Sequence, residues 1–539
     1  MRRFAASAPF VVLPLALFAA FFDWAILDIG NAGWLIRGTD DGENALGLHA
    51  WLHDPAATLS LRTGLLNHPT GVPLLFTDSN PLVGLLAKPF AAILPADAQF
   101  VGPWYLLCLM LQVVFAWALL RRHAPGVVAL WLGTALLAAL PTLFARYVHA
   151  NLFAHWLILA SLWLYTDERR SAALRWWLPL IAAAALIHSY LLVMVGAIWA
   201  SAMLEAFVRG DGRTRGAISA QAAAVLALVA ALAVWLGVLG DFLPAHNYGA
   251  FAMPIDALVN PANSDYSTLL PVTAQREGRG FEGFQYLGAG LIALVVIAIV
   301  VLVTLPRPAR EAALHRRLIW LVPALVVLTL LAISNYPDVA GQKLWRIPLP
   351  AAVTDRLDAV RASGRLFWPV AYTLVLTAIV TSFRLGRERA TMLLAAAAAI
   401  QCIDLASMTT TIRAVTHEAQ DRRLYARTPD ARWAGLVAQA GDVTFVPADA
   451  TRDLALFQEI AWRAVSAQVP VRTVYAARTT RGDLRRLALE DEQFRRGILS
   501  PRRLYVLLPG EPVPAAAAAR MRTIDGVRVI VPSSPRSAS

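Results

Sequence analysis

Asp40, Asp41, Glu43, His49, His53, Asp54, His68 and Asp78 crowd into one stretch, residues 38–81, which reads GTDDGENALGLHAWLHD and then NHPTGVPLLFTDSNP. A carboxylate within hydrogen-bond reach of a hydroxyl can take its proton as that hydroxyl attacks, so Asp40 and Asp41 are the candidate general bases. Burial at a boundary between water and an apolar phase raises such a carboxyl toward the useful range. A second reading is local. Asp40 followed by Glu43 has the spacing of a capping box, so Asp40 could cap a helix starting near Gly42. The two roles are compatible, one carboxylate capping while the other works.

His49 and His53 are four apart on the helix expected over 43–53, the spacing of two metal ligands on one face. The glutamate that zinc hydrolases place after the first His is Ala50 here. The alternative is a helix turning polar residues to water. A divalent cation, Mg or Mn, held by Asp41 and a substrate phosphate is compatible with the pattern but not decided by it. His68 sits among turn-forming residues, and Asp78 either caps the apolar helix that follows or lines the same cavity as Asp40. Further on, RYVHANLFAHWLIL places Arg146 and His149 at the start of an apolar run and His155 inside it. Arg146 and His149 are candidate partners for a lipid phosphate; His155 serves either function or a bond between helices, and His188 is similar. RASGRLFWP brings Arg361 and Arg365 into another run. Arginine makes bidentate bonds to phosphate, so Arg365 is read as a phosphate contact, with snorkelling to headgroups as its alternative.

These residues need elements to hold them, and the composition says which. Of 539 residues 58% are hydrophobic and 16% charged, with mean hydropathy +0.55. A charged share well below the soluble average of about 25% marks a polytopic membrane protein. The net charge of +12 is carried almost wholly by arginine, the lysines being Lys88 and Lys343. In such a chain an excess of this kind sets topology or meets anionic lipid. No basic patch interleaved with aromatics points to nucleic acid. Cys108 and Cys402 fall inside apolar runs, which predicts no disulfide and no metal cluster.

About eleven spans are expected, near 9–29, 101–120, 126–145, 149–166, 176–189, 190–208, 216–239, 286–305, 318–334, 366–384 and 390–407. The first is read as an uncleaved anchor, too long for the apolar part of a signal peptide. Arginines cluster at Arg2/Arg3, Arg121/Arg122, Arg169/Arg170/Arg175, Arg209/Arg213/Arg215, Arg307 to Arg317 and Arg384/Arg387/Arg389. The positive-inside bias places all of them in the cytoplasm. The N-terminus is then inside, and the loops 30–100, 240–285 and 335–365 are outside. The short segment 81–95, with prolines at both ends, serves that bias as a helix lying in or dipping into the outer leaflet. Aromatics in the second outer loop form an interfacial belt or a wall for a sugar ring.

From about residue 408 the chain changes character. DVTFVPA, VRTVYAAR, RLYVLLP and VRVIVPS read as short strands. TRDLALFQEIAWRAVSA and RGDLRRLALEDEQFRRG have helical spacing. The expectation is a transmembrane domain over 1–407 and a small soluble α/β domain over 408–539, outside the membrane, ending in a disordered SSPRSAS.

The order of these parts resembles the C-type membrane glycosyltransferases. More narrowly, GTDDGENALGLHAW, TDSNPLVGLLAKPF, HANLFAHWLIL, FEGFQYLGAG and RASGRLFWP resemble an uncharacterised bacterial membrane family related to them, over about residues 10–405. The resemblance implies a helical fold of the glycosyltransferase-C kind and a lipid-phosphate-linked sugar donor approached within the membrane. It also implies a glycan or lipid acceptor arriving from the periplasm. In that fold an acidic residue of the first outer loop is the base, which maps onto Asp40, with Asp41 next to it. A later outer-loop cation holding the donor phosphate maps onto Arg365. The expected function is thus an inverting glycosyltransferase of the bacterial inner membrane, using a polyprenyl-phosphate donor, with Glu43, His49, His68, Asp78, Arg146, His149 and Arg365 at the substrate. The alternatives are a transporter or flippase of lipid-linked glycans, or a non-catalytic envelope assembly protein of the same fold.

Overall fold

Apolar runs become helices here because a backbone shielded from water must satisfy its own hydrogen bonds. The computed structural model describes residues 8–533; Arg2, Arg3 and most of the terminal SSPRSAS lie outside the described residues. The membrane part runs through α1 (Pro9–Phe21), α2 (Asp40–His53), α3 (Pro81–Ala87), α4 (Val101–Leu120), α5 (Val127–Ala138), α6 (Trp156–Thr166), α7 (Leu174–Ile187) and α8 (Ser189–Arg209). It continues through α9 (Gly212–Trp235), α10 (Ala289–Thr304), α11 (Ala309–Ile333), α12 (Trp368–Ser382), α13 (Arg387–Asp404) and α14 (Ala406–His417).

Among the described residues, five helical segments are long and apolar enough to cross a membrane: α4, α8, α9, α11 and Ser363–Leu385, which contains α12. The pair α13 and α14, bent by 51°, makes a sixth if counted as one span. Six further apolar helices are shorter. The twelve residues of α5 rise only about 18 Å, against a hydrocarbon core of about 30 Å. Length therefore supports five or six spans directly, not eleven. The first run illustrates the difference. It is helical only to Phe21, because Asp23 ends it: its carboxylate accepts from the Ala25 amide at 2.8 Å and from Gln420 at 2.9 Å, while His417 Nδ1 stands 2.7 Å away.

α12 is enveloped by its neighbours, whereas α9 is bare on most faces. Leu226 and Val234 on α9, Val296 and Val303 on α10, and Ile319 and Leu330 on α11 form part of a wide exposed apolar belt. An apolar area of that extent suits lipid rather than water.

The arginine clusters within the described residues gather at one end of the bundle. Arg122 pairs with Asp167 at 2.9 Å, Arg317 with Glu205 at 3.4 Å, and Arg384 is buried against Glu311. The opposite end carries α2 and the turn that follows it. α3 and the 3-10 turn Lys88–Ile93 fold back there, and Lys88 Nζ bonds the Trp51 carbonyl at 2.8 Å and the Leu52 carbonyl at 3.3 Å, closing the C-terminal end of α2.

The C-terminal part is a four-stranded sheet of β1 (Asp442–Val446), β2 (Arg503–Leu507), β3 (Met521–Ile524) and β4 (Val527–Ile530), in the order β1-β2-β4-β3. β1 and β2 are parallel, with Thr444 opposite Tyr505; the other pairs are antiparallel. α15 (Leu454–Ser466) and α16 (Arg481–Arg495) form the helical layer. MRTI, not read as a strand from sequence, is β3. VRTVYAAR, read as a strand, is not one: it runs extended outside the sheet, its backbone bridging at Val471 to Val443 and Arg472 reaching Asp442 at 3.3 Å. Its backbone pairs instead with the stretch between α2 and α3, Val471 N to Leu65 O at 2.8 Å and Ala477 N to Phe76 O at 2.8 Å. α14 packs against α1, so the chain beyond residue 407 remains part of the helical bundle before the sheet begins.

Candidate functional site

Thr39, not Asp40, caps α2: its hydroxyl accepts from the Gly42 amide at 3.3 Å, and helical geometry begins at Asp40. Asp40, Asp41 and Glu43 therefore all lie in the first turn, where the helix dipole favours negative charge. The helix then sends them in different directions.

Asp41 points into the bundle. It accepts from the Tyr105 hydroxyl at 2.8 Å and from the Ala150 amide at 2.9 Å, so both oxygens are committed. Burial pushes this carboxyl up to about 7, against the lowering effect of the two hydrogen bonds. Asp40, 36% exposed, points into a cavity of about 500 Å3. The doubled aspartate thus divides into one core residue and one cavity residue.

Seven stretches of the membrane part, from α2 to the start of α12, and one of the tail build that cavity. Asp78 enters from the turn after residue 73, in left-handed backbone at φ 53°. Its carbonyl accepts from Asn44 and from Asn151 at 2.7 Å, which leaves its carboxylate free to face inward. Gly47 makes this possible: a Cβ there would stand 2.0 Å from Thr77 Oγ1 and 2.5 Å from Ser79 Oγ. Asn80, not Asp78, caps α3, accepting from the Val83 amide at 3.2 Å. His149 lies between the two acids, Nε2 3.6 Å from Asp40 Oδ2 and Nδ1 3.6 Å from Asp78 Oδ2. His188 Nε2 is 3.6 Å from the other Asp78 oxygen. Burial opposes ionisation of Asp78, but the two imidazoles and Arg365 outweigh it and hold the carboxyl below its usual value.

Glu282 was not singled out from sequence, yet it organises the far wall. Arg365 grips it with Nε and Nη2, and Arg146 Nη1 adds a bond of 3.0 Å. Despite its burial, the two guanidiniums drive its carboxyl far below the usual range. Gly364 lets the two loops meet, since a Cβ on it would lie 2.6 Å from Gly283 Cα. Arg365 lines the cavity but is spent on Glu282; Arg146, 1% exposed, stands behind the wall. The cavity cation with no carboxylate in ion-pair range, among the described residues, is Arg361.

The extended tail segment brings Tyr475 and Arg478 to the same cavity. Burial, with the charge and hydrogen bond of Asp40, pushes the Tyr475 hydroxyl up to about 12. Arg478 donates to the Asp358 carbonyl at 2.9 Å. Glu43 completes the floor. It is 2% exposed, neither oxygen has a hydrogen-bond partner, and burial with the charges of Asp40 and Asp78 raises its carboxyl well above normal.

The structure therefore brings Asp40, Glu43, Asp78, His149, His188, Arg361 and Arg365 together and leaves out His49, His53, His68 and His155. His49 stacks on Trp462 at 3.9 Å between ring centres, and its Nε2 is 2.9 Å from Ser466 Oγ, which seats α15 on α2. His53 Nδ1 meets the His49 carbonyl at 2.9 Å. His68 belongs to the seam with the tail, its amide donating to Val471 O at 3.0 Å. His155 is buried against Trp368 and the Tyr372 hydroxyl, away from the cavity. No group of three or more His, Cys, Asp or Glu side chains among the described residues could hold a metal ion.

Residues 11–406 match the family model described as a domain of unknown function (DUF6311), and residues 432–532 match the DUF6311 C-terminal domain. No curated protein and no solved structure matches the chain.

Proposed function

The chain belongs to the DUF6311 family, and from its site we propose a membrane glycosyltransferase that moves a sugar from a polyprenyl-phosphate carrier to a periplasmic glycan or lipid acceptor. One observation carries this reading: Asp40, partly exposed, shares a single cavity with Asp78, His149 and the unpaired Arg361 at the end of the bundle away from the arginines. The acceptor hydroxyl attacks the anomeric carbon as Asp40 takes its proton. The bond from that carbon to the phosphate oxygen breaks, the phosphate leaves with the electron pair, and configuration inverts. Arg361 offsets the charge that grows on the leaving phosphate. This moves the phosphate contact from Arg365, which Glu282 neutralises, to its neighbour one turn earlier.

The same reading puts the N-terminus in the cytoplasm of a bacterial inner membrane and the cavity and tail in the periplasm, with the shorter apolar helices completing about eleven crossings by local thinning of the bilayer and snorkelling of their flanking residues. The test is release of polyprenyl phosphate by the purified full chain from a panel of polyprenyl-phosphate-linked sugars. Asp40→Asn is expected to lower the rate by about 10²- to 10⁴-fold at unchanged thermal midpoint. Equal turnover in the variant removes the base assignment.

A further inference from the structure

At the other end of α4 lies a second cavity, of about 600 Å3. Arg122, Arg169, Arg170, Arg310 and Arg317 line it, drawn from the end of α4, the turn after α6 and the start of α11. The carboxylates available to them are Asp167 and Glu168 in the lining and Glu205 behind Arg317. The five guanidiniums exceed these acids by two charges. Asp167 engages Arg122 at 2.9 Å and Arg170 at 3.4 Å. Arg169 and Arg310 have no carboxylate within ion-pair distance among the described residues, and Arg170 Nη1 is buried without a hydrogen-bond partner. Arg170 is held 3.9 Å over the Trp163 ring, which fixes its plane. The rest of the wall is His123, Trp163, Thr166 and the apolar Ala118, Leu119, Ala313 and Leu314.

We propose that this second cavity binds the phosphate headgroup of an anionic membrane lipid. Arg169 and Arg310, both outside any ion pair although Arg310 Nη1 donates to the Arg122 carbonyl at 3.4 Å, and the underused Arg170 supply the planar donors that a phosphodiester accepts. Apolar side chains run down from them along α4 and α11, where acyl chains would lie. The twenty residues of α4 set this cavity about 30 Å from the first, so it is a separate site at the opposite membrane surface. An excess of arginine in a pocket between spans is the pattern by which acidic lipids are held. The site ties the bundle to an anionic leaflet without touching the reaction centre.

The full chain is placed in nanodiscs of phosphatidylcholine, with and without phosphatidylglycerol, and bound lipid is read by native mass spectrometry. Arg169→Gln with Arg310→Gln is expected to weaken retention of phosphatidylglycerol roughly thirtyfold. Arg213→Gln with Arg389→Gln, which removes equal charge from exposed positions outside the cavity, leaves retention unchanged. Neither cavity residue is in an ion pair, so the thermal midpoint in phosphatidylcholine alone stays constant. Should it fall, the single Arg169→Gln variant carries the comparison. Equal losses in the two double variants would reduce the effect to surface charge and overturn the site. Retention untouched by the cavity variants overturns it too. Glycerol 3-phosphate competing as well as the lipid would make the ligand a soluble phosphate, against the proposal.

Discussion

Asp40 and Asp41 are neighbours in sequence and opposites in role, and the difference is testable residue by residue. Asp41→Asn keeps the shape and every partner: Oδ1 accepts from the Ala150 amide, and Nδ2 donates to the Tyr105 oxygen, whose own proton goes to the Tyr147 carbonyl at 2.7 Å. The expected result is a thermal midpoint that holds at acid pH, with the cavity intact. The pH dependence differs as well. The Asp41 carboxyl is raised to about 7, above an unfolded value of about 3.9. The folded protein therefore holds a proton that the unfolded chain releases, and this group's contribution to stability falls as pH rises from about 4 to 7. Glu282 acts in the opposite sense: its lowered carboxyl stabilises above about pH 4.3, and that stability is lost on acidification. Thermal midpoints from about pH 2 to 8 check both, since Asp41→Asn should remove the decline and leave the acid limb. At this scale the acids of the first loop were legible because charge stands out in an apolar chain. Glu282 was not, because its meaning depends on Arg146 and Arg365, which lie 136 and 83 residues away along the chain. Tyr475 and Arg478 were hidden for the same reason.

Elements position these side chains through a few close approaches that only glycine permits. Gly364 is the clearest, because the obstacle to a Cβ is backbone on both Gly283 and Glu282. Gly364→Ala must push the 281–283 loop away from the start of α12, loosening the grip of Arg365 on Glu282. Breaking a buried pair of this kind costs about 3–5 kcal/mol, so the variant is expected to lose much of its thermal stability. Gly196→Ala is the matched control: it lies within α8 with nothing inside 4 Å of the added atom, and alanine favours helix by about 1 kcal/mol. Its midpoint should hold or rise. The helices themselves were readable from apolar runs, and their order in the chain matches the expected one. Caps and ends were less readable. Thr39 and Asn80 took the capping roles assigned to Asp40 and Asp78 because each lies one or two positions from an equally suitable acceptor, and local sequence does not choose between them. VRTVYAAR has strand composition, but its hydrogen-bond partners are loop residues 65 and 76, which no periodicity in the tail announces.

Over the whole molecule, two polar ends are separated by the apolar belt. One end holds the carboxylate cavity and the sheet domain; the other holds the arginines and the second cavity. This segregation was legible from the arginine spacing alone, because every cluster within the described residues falls at the end of a long apolar run. How many of the shorter helices cross the bilayer was not, since tilt depends on neighbours rather than on composition. Orientation follows from a single labelling experiment. Cys108 and Cys402 are first replaced by Ala and Ser, the latter because it is exposed. Single cysteines are then placed at Val272, on the loop between α9 and α10 that also carries Glu282, at Arg496 after α16, and at Arg213 near the start of α9. Val272 and Arg496 are on the cavity side and Arg213 on the arginine side. In intact spheroplasts a membrane-impermeant maleimide should label the first two and spare Arg213→Cys until the membrane is opened. Labelling of Arg213→Cys in intact cells, with the other two protected, would place the cavity in the cytoplasm. A periplasmic acceptor could then not reach Asp40, and the proposed transfer would fail with the topology.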